Sequence, residues 1–171
     1  MNNGRLLIAD LGISKQLTEA VGTSSNSEIL GMPAYIDPQC YIKETYKRNK
    51  KSDIYSLGVL LWEITSGRAP FPNIKRHFIS YRIREGLRET PVVGTPSKYQ
   101  QLYQECWNVD PDSRPDIDKI HDTLTQLKLQ IDTEIQAQQL QGSSTTRVGK
   151  KPLILSSLRC FALVLTCYHV N

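Results

Sequence analysis

Residues 52–67 constrain this chain more than any other stretch. Ile54, Tyr55, Leu57, Val59, Leu60, Leu61, Trp62 and Ile64 leave almost no polar face at the 3.6-residue period of a helix. A helix that is apolar all round belongs in the interior of a protein. Ser52 is placed to cap its start, and Gly67 followed by Pro70 supplies the stop signals. With 39% apolar and 22% charged residues, the composition is that of an ordinary soluble globular chain. The helix is therefore expected to be a central post on which other helices pack.

Those helices are visible in the spacing of apolar residues. Residues 76–85 carry Phe78, Ile79 and Ile83, and residues 97–107 carry Leu102, Tyr103, Cys106 and Trp107. Pro115 is suited to open a third helix, with Ile117, Ile120, Leu124, Leu127 and Ile131 along one face. Upstream, Arg5-Leu-Leu-Ile-Ala has the pattern of a short buried strand, and Asp10-Leu-Gly follows it, which sets a carboxylate just past a strand end beside a glycine free to turn. Residues 12–27 show no sustained periodicity and are rich in hydroxyls, among them Thr23, Ser24, Ser25 and Ser27. Loops of that length inside a compact domain are usually functional or disordered.

Charge and cysteines narrow the function classes. Lys and Arg outnumber Asp and Glu by 21 to 17, a dispersed +4 that gives no footprint for nucleic acid. Residues 43–51 are five-ninths basic, but Glu44 and Tyr46 interrupt them, as in a solvated loop. Cys40, Cys106, Cys160 and Cys167 lack zinc-site spacing, and Met-Asn-Asn-Gly-Arg is no signal peptide, so a reducing, cytoplasmic setting is expected. Past residue 130, the Gln-rich stretch from Gln136 and Gly142-Ser-Ser-Thr-Thr suggest a frayed helix end and a linker. Residues 152–170 are apolar again but short for a bilayer span and interrupted by Arg159, so no membrane partner is expected.

Five motifs occur in a fixed order: Asp10-Leu-Gly; Gly31-Met-Pro-Ala-Tyr-Ile-Asp-Pro-Gln39; Ser52-Asp-Ile-Tyr-Ser-Leu-Gly-Val-Leu-Leu-Trp-Glu63; Gly67-Arg-Ala-Pro-Phe71; and Cys106-Trp-Asn-Val-Asp-Pro-Asp-Ser-Arg-Pro115. In that order they resemble the large lobe of a eukaryotic protein kinase catalytic domain, of the tyrosine-kinase-like or a related serine/threonine branch. The resemblance implies a mainly α fold: the C-terminal lobe of the protein-kinase-like fold, a helical bundle around one buried central helix, with a short β-hairpin at the N-terminus. It implies a partial kinase domain over residues 1–130, followed by a linker and unrelated tail over residues 131–171.

The resemblance also implies roles. Asp10 matches the aspartate that holds magnesium on the ATP phosphates, and Gly12 is its flexible neighbour in the cofactor site. Leu11 fills the usual phenylalanine slot. Asp53 matches an aspartate that hydrogen-bonds the catalytic loop, although capping of the central helix accounts for an acid there equally well. Gln39 stands where the family has a glutamate, and Arg114 matches the arginine that pairs with it. An amide makes a weaker bond than a charge-assisted bidentate pair, unless Asp37 or Glu63 takes over. Met32 occupies the place of a threonine that supports the catalytic site, and a thioether donates no hydrogen bond. Thr23, Ser24, Ser25 and Ser27 fall in the activation-like loop, where phosphates would regulate.

The family's Gly-rich loop, strand lysine, partner glutamate helix and catalytic-loop aspartate match nothing in these 171 residues. The leading expectation is thus a fragment of an ATP- and magnesium-dependent protein kinase that is inactive as an isolated chain, with a protein substrate or signalling partner. The alternatives are a pseudokinase-like module that docks partners through residues 74–89 and the tail, and an incomplete gene product.

Overall fold

The computed structural model describes residues 31–141. In chain order they form a 3-10 turn over Pro33–Tyr35, α1 over Gln39–Ile42, α2 over Lys50–Ser66, α3 over Arg76–Arg84, α4 over Ser97–Cys106, a second 3-10 turn over Pro111–Ser113, and α5 over Ile117–Gln141. No strand occurs among the described residues. The expected N-terminal hairpin lies outside them.

The central helix α2 starts earlier than residue 52. Asn49, extended at φ −145°, accepts the Lys51 N–H on its side chain at 2.9 Å, and Ser52 Oγ accepts the Asn49 N–H at 3.3 Å. This is a reciprocal capping box, so Ser52 closes the cap from inside the first turn rather than opening the helix. Gly67 ends it in the left-handed conformation at φ 66°, with its N–H on the Glu63 carbonyl. That conformation costs any residue with a Cβ, which explains the glycine.

Helix α2 packs most extensively on α4. The two backbones come close at Gly58, where an added Cβ would lie 2.7 Å from Cys106 Cβ, 2.9 Å from Trp107 N and 3.0 Å from Tyr103 O. Tyr55, Val59, Leu61 and Trp62 fill the core beside Tyr99, Leu102, Tyr103 and Trp107. Tyr99 donates its hydroxyl to the Leu61 carbonyl at 3.0 Å, and Trp62 Nε1 donates to Thr90 O at 2.8 Å. The polar tips of Tyr99 and Trp62 are thereby satisfied while their rings contribute apolar area. Leu60 departs from the all-round burial expected of α2, being 37% exposed among the described residues.

Helix α5 lays Ile120, Leu124 and Leu127 into the core, with Ile117 and Ile131 at its margin, the stripe expected from the 3.6-residue spacing. It continues unbroken through the Gln-rich stretch to Gln141. Helix α3 buries Ile79 and Ile83, one turn apart, and leaves Phe78 at 53% exposure, off the buried face.

Candidate functional site

The segment of residues 33–42 is held to the bundle by a buried charge network. Asp37 follows the first 3-10 turn and is 2% exposed, and Arg114, which ends the second, has the same exposure. Their side chains meet in parallel: NH1 to Oδ2 at 2.7 Å and NH2 to Oδ1 at 2.8 Å. Such a bidentate pair fixes orientation as well as charge. The remaining guanidinium donors are spent on carbonyls, Nε on Asn108 at 2.8 Å, NH1 on Lys51 at 2.8 Å and NH2 on Val109 at 3.3 Å. Lys51 returns the contact by donating its ammonium to the Arg114 carbonyl. The Tyr55 ring lies 5.3 Å from the guanidinium carbon.

Asp37 is equally well served. Besides Arg114 it accepts the Gln39 N–H at 3.0 Å on Oδ1, and the Ser52 and Tyr46 hydroxyls on Oδ2, each at 2.9 Å. Burial pushes its carboxyl up, but the Arg114 guanidinium, the Gln39 N–H and the Ser52 hydroxyl outweigh burial and hold it below the usual carboxylate range. An ionised pair fully removed from water survives only with this density of hydrogen bonds.

Gln39, expected to stand at a glutamate position, does not meet Arg114. Its Nε2 donates to Val109 O at 2.8 Å, the carbonyl that also receives Arg114 NH2, and its Oε1 is buried without a partner. A carboxylate here would lose the bond to Val109 and stand against Asp37, so the neutral amide at 39 and the acid at 37 complement one another. Glu63 does not reach the arginine either. It accepts the Tyr35 hydroxyl, while Ser56 Oγ donates to Tyr35 O at 2.6 Å, a second tie between the turn and α2. Burial, reinforced by the Glu63 carboxylate, pushes the Tyr35 phenol well above its usual value.

Asp53 stands in the first turn of α2 but does not cap it, since Asn49 and Ser52 do. Partial desolvation raises its carboxyl, against the lowering effect of nearby Arg48. Met32 is 59% exposed at the start of the first 3-10 turn, and its side chain makes no cap hydrogen bond. Asp10, Gly12, Thr23, Ser24, Ser25 and Ser27 lie outside the described residues. The network therefore unites Arg114 and Asp37 and sets Gln39 beside them, while Asp53 and Met32 stand apart from it. No local sequence pattern showed that Tyr46 and Ser52 would donate their hydroxyls to Asp37. The available signal was Asp37 itself, an acid two residues before Gln39, which needs donors once buried.

Among the described residues no cluster of three or more His, Cys, Asp or Glu side chains is placed to hold a metal ion. No helix among them is long and apolar enough to cross a membrane. What the network does is mechanical: it fixes where residues 33–42 lie against α2 and the turn before α5.

The sequence profile of the family described as protein tyrosine and serine/threonine kinase matches residues 1–124. A probable serine/threonine-protein kinase of Dictyostelium discoideum is 36% identical over 133 residues, covering 71% of this chain and 7% of its own length. Mitogen-activated protein kinase kinase kinase 11 of Homo sapiens is 30% identical over 132 residues, covering 77% of this chain and 15% of its own. The megakaryocyte-associated tyrosine-protein kinase of Mus musculus is 36% identical over 102 residues, covering 58% and 20%. The chain thus spans no more than a fifth of the length of these relatives.

Proposed function

The chain belongs to the protein tyrosine and serine/threonine kinase family, and on that premise we propose that it is part of the large lobe of an enzyme that moves the terminal phosphoryl group of ATP onto a protein hydroxyl. The observation that carries this reading is the Asp37–Arg114 pair. Phosphoryl transfer asks little covalent chemistry of a protein and much positioning. A segment lying between a nucleotide-side loop and the central helix must keep one register to present a peptide, and the pair supplies that register.

Asp10 and Gly12 are the residues of this chain assigned to the cofactor side. Magnesium held at Asp10 would neutralise charge on the ATP phosphates. Asp37, Arg114, Gln39 and Tyr35 act through the backbone they fix, and we assign them positioning roles only. Free Cys40 and Cys106 accord with a cytoplasmic setting.

As a polypeptide of these 171 residues the chain is expected to be inert. Base, phosphate-binding lysine, phosphate-covering loop and metal ligands act as a unit, and of these only Asp10 has a match here. Met32 favours a second reading, a pseudokinase-like binding module, because its exposed thioether supplies no donor to a catalytic site. One experiment separates the two. Phosphate incorporation into a generic protein substrate is measured for this chain, for its Asp10→Ala variant, and for a version extended upstream to include a lysine strand and a catalytic-loop aspartate. The enzyme reading expects activity only in the extended version, lost on Asp10→Ala there. An extended version that folds yet transfers nothing supports the binding module, and turnover by the short chain that Asp10→Ala abolishes would overturn the claim of inertness.

A further inference from the structure

The donors that converge on Asp37 differ in one respect. Arg114, Ser52 and Gln39 are buried, whereas Tyr46, on the loop between α1 and α2, is only partly buried. Its hydroxyl reaches inward to Asp37 Oδ2 at 2.9 Å and lies 3.3 Å from Ser52 Oγ. The member of the network that solvent can reach is thus a phenol, a group that accepts a phosphoryl transfer. We propose that Tyr46 is a tyrosine phosphorylation site, and that its phosphate releases residues 33–42 from their anchor on Arg114.

The chemistry is balanced by ATP and a separate protein-tyrosine kinase. The phenol oxygen bonds to the terminal phosphorus, the bond from that phosphorus to the bridging oxygen breaks, and ADP leaves with its electron pair. The phenol proton passes to the transferring enzyme and on to solvent. A neutral donor is thereby replaced by a group carrying about −1.5 to −2 charge that accepts hydrogen bonds and gives none. Held against the Asp37 carboxylate it repels, so the ring has to leave. Asp37 then lacks one donor, and the loop moves.

The surroundings receive the displaced group. Lys43, Lys47, Arg48 and Lys50 are exposed and flank Tyr46 in sequence, with Glu44 the acid among residues 43–51. An open cleft of about 320 Å³ is lined by Tyr46, Lys43 and Asn49, with Asp110 and Asp112 also on its wall. The carboxylates steer a phosphate away from their side, and Lys43 on the cleft wall attracts it. Residues 43–51, expected from sequence to be a solvated basic loop, thus gain a specific anion to bind.

The test uses the full chain with Tyr81→Phe, because Tyr81 on α3 is 53% exposed and would compete as an acceptor. The folded protein is incubated with ATP and a purified broad-specificity tyrosine kinase, the phosphate is located by mass spectrometry, and amide hydrogen exchange is followed. The expected result is phosphate on Tyr46 and exchange over residues 33–42 faster by roughly tenfold or more, with α4 and α5 unchanged. Tyr46→Phe, which loses the donor without gaining charge, should speed exchange there by only a few-fold. Absence of phosphate on Tyr46 in the folded chain overturns the proposal, as does a phosphorylated chain whose exchange over residues 33–42 matches Tyr46→Phe.

Discussion

Replacing Gly58 by alanine adds one methyl group at the tightest point between α2 and α4. Its Cβ would lie 2.7 Å from Cys106 Cβ, 2.9 Å from Trp107 N and 3.0 Å from Tyr103 O. Two of those atoms are backbone, so no rotamer change relieves the contact. Carbon contacts are favourable at about 3.5–4.0 Å, which requires the end of α4 to retreat by roughly 1 Å. Overpacking of this kind costs about 1–3 kcal/mol, and the rigid backbone partners place Gly58 at the upper end. Alanine recovers about 0.8–1.0 kcal/mol through helix propensity, which leaves a net loss of about 2 kcal/mol. The thermal midpoint, followed by circular dichroism at 222 nm (the helical band), should fall by roughly 5–10 °C. Lys128→Ala, on the exposed side of α5, is the control and should stay within about 0.5 kcal/mol of the parent. A midpoint for Gly58→Ala that is unchanged or raised would refute the close approach of the two helices, because propensity alone would then be acting.

Further outcomes follow from the caps and the buried pair. Asn49→Ala removes the side-chain acceptor of the capping box and should lower stability by about 1 kcal/mol, seen as a lower urea midpoint at unchanged slope. Gly67→Ala meets no steric obstacle, yet forces a Cβ into φ 66°, and should cost about 1–2 kcal/mol in the same assay. Acid should weaken the fold through Asp37. Its folded carboxyl lies below the ordinary value of 3.8, so its contribution is fully present above about pH 4 and is lost as pH falls through the folded value. Asp37→Ala should flatten that acid limb of a stability–pH curve, and an unchanged limb would exclude Asp37 as its source.

Much of the bundle was legible in the sequence because helix periodicity and burial are linked directly. Ile120, Leu124 and Leu127 could be assigned to the core from spacing alone, since a face that repeats every 3.6 residues has one place to go. The start of α2 was misplaced because Ser52 and Asn49 are both cap-forming residues, and only geometry shows which accepts from which. Which of Phe78 and Ile79 would be buried was open for a related reason: in a nine-residue helix, adjacent apolar residues leave the buried stripe ambiguous by 100°. At the site, Gln39 signalled that a carboxylate was missing, and Asp37 and Glu63 were both eligible to replace it. The choice between them depends on backbone direction after the 3-10 turn, which turns Tyr35 toward Glu63 and Asp37 toward Arg114. The contact of Tyr46 with Asp37 was not foreseen because a loop separates the two whose path no local pattern encodes.

The family resemblance implies a carboxylate facing Arg114 from position 39, whereas the one that faces it here is Asp37. Gln39 Nε2 and Arg114 NH2 share the Val109 carbonyl at 2.8 and 3.3 Å, so a carboxylate placed at position 39 has the arginine within reach. Asp37→Ala alone leaves a buried guanidinium without a counter-charge and should cost about 3–5 kcal/mol. The decisive measurement is the unfolding free energy of Asp37→Ala beside that of Asp37→Ala with Gln39→Glu. The expected result is that the second change restores at least half of what the first removes. A double variant no more stable than Asp37→Ala would contradict it, showing that Arg114 is held by its carbonyl contacts and not by a carboxylate.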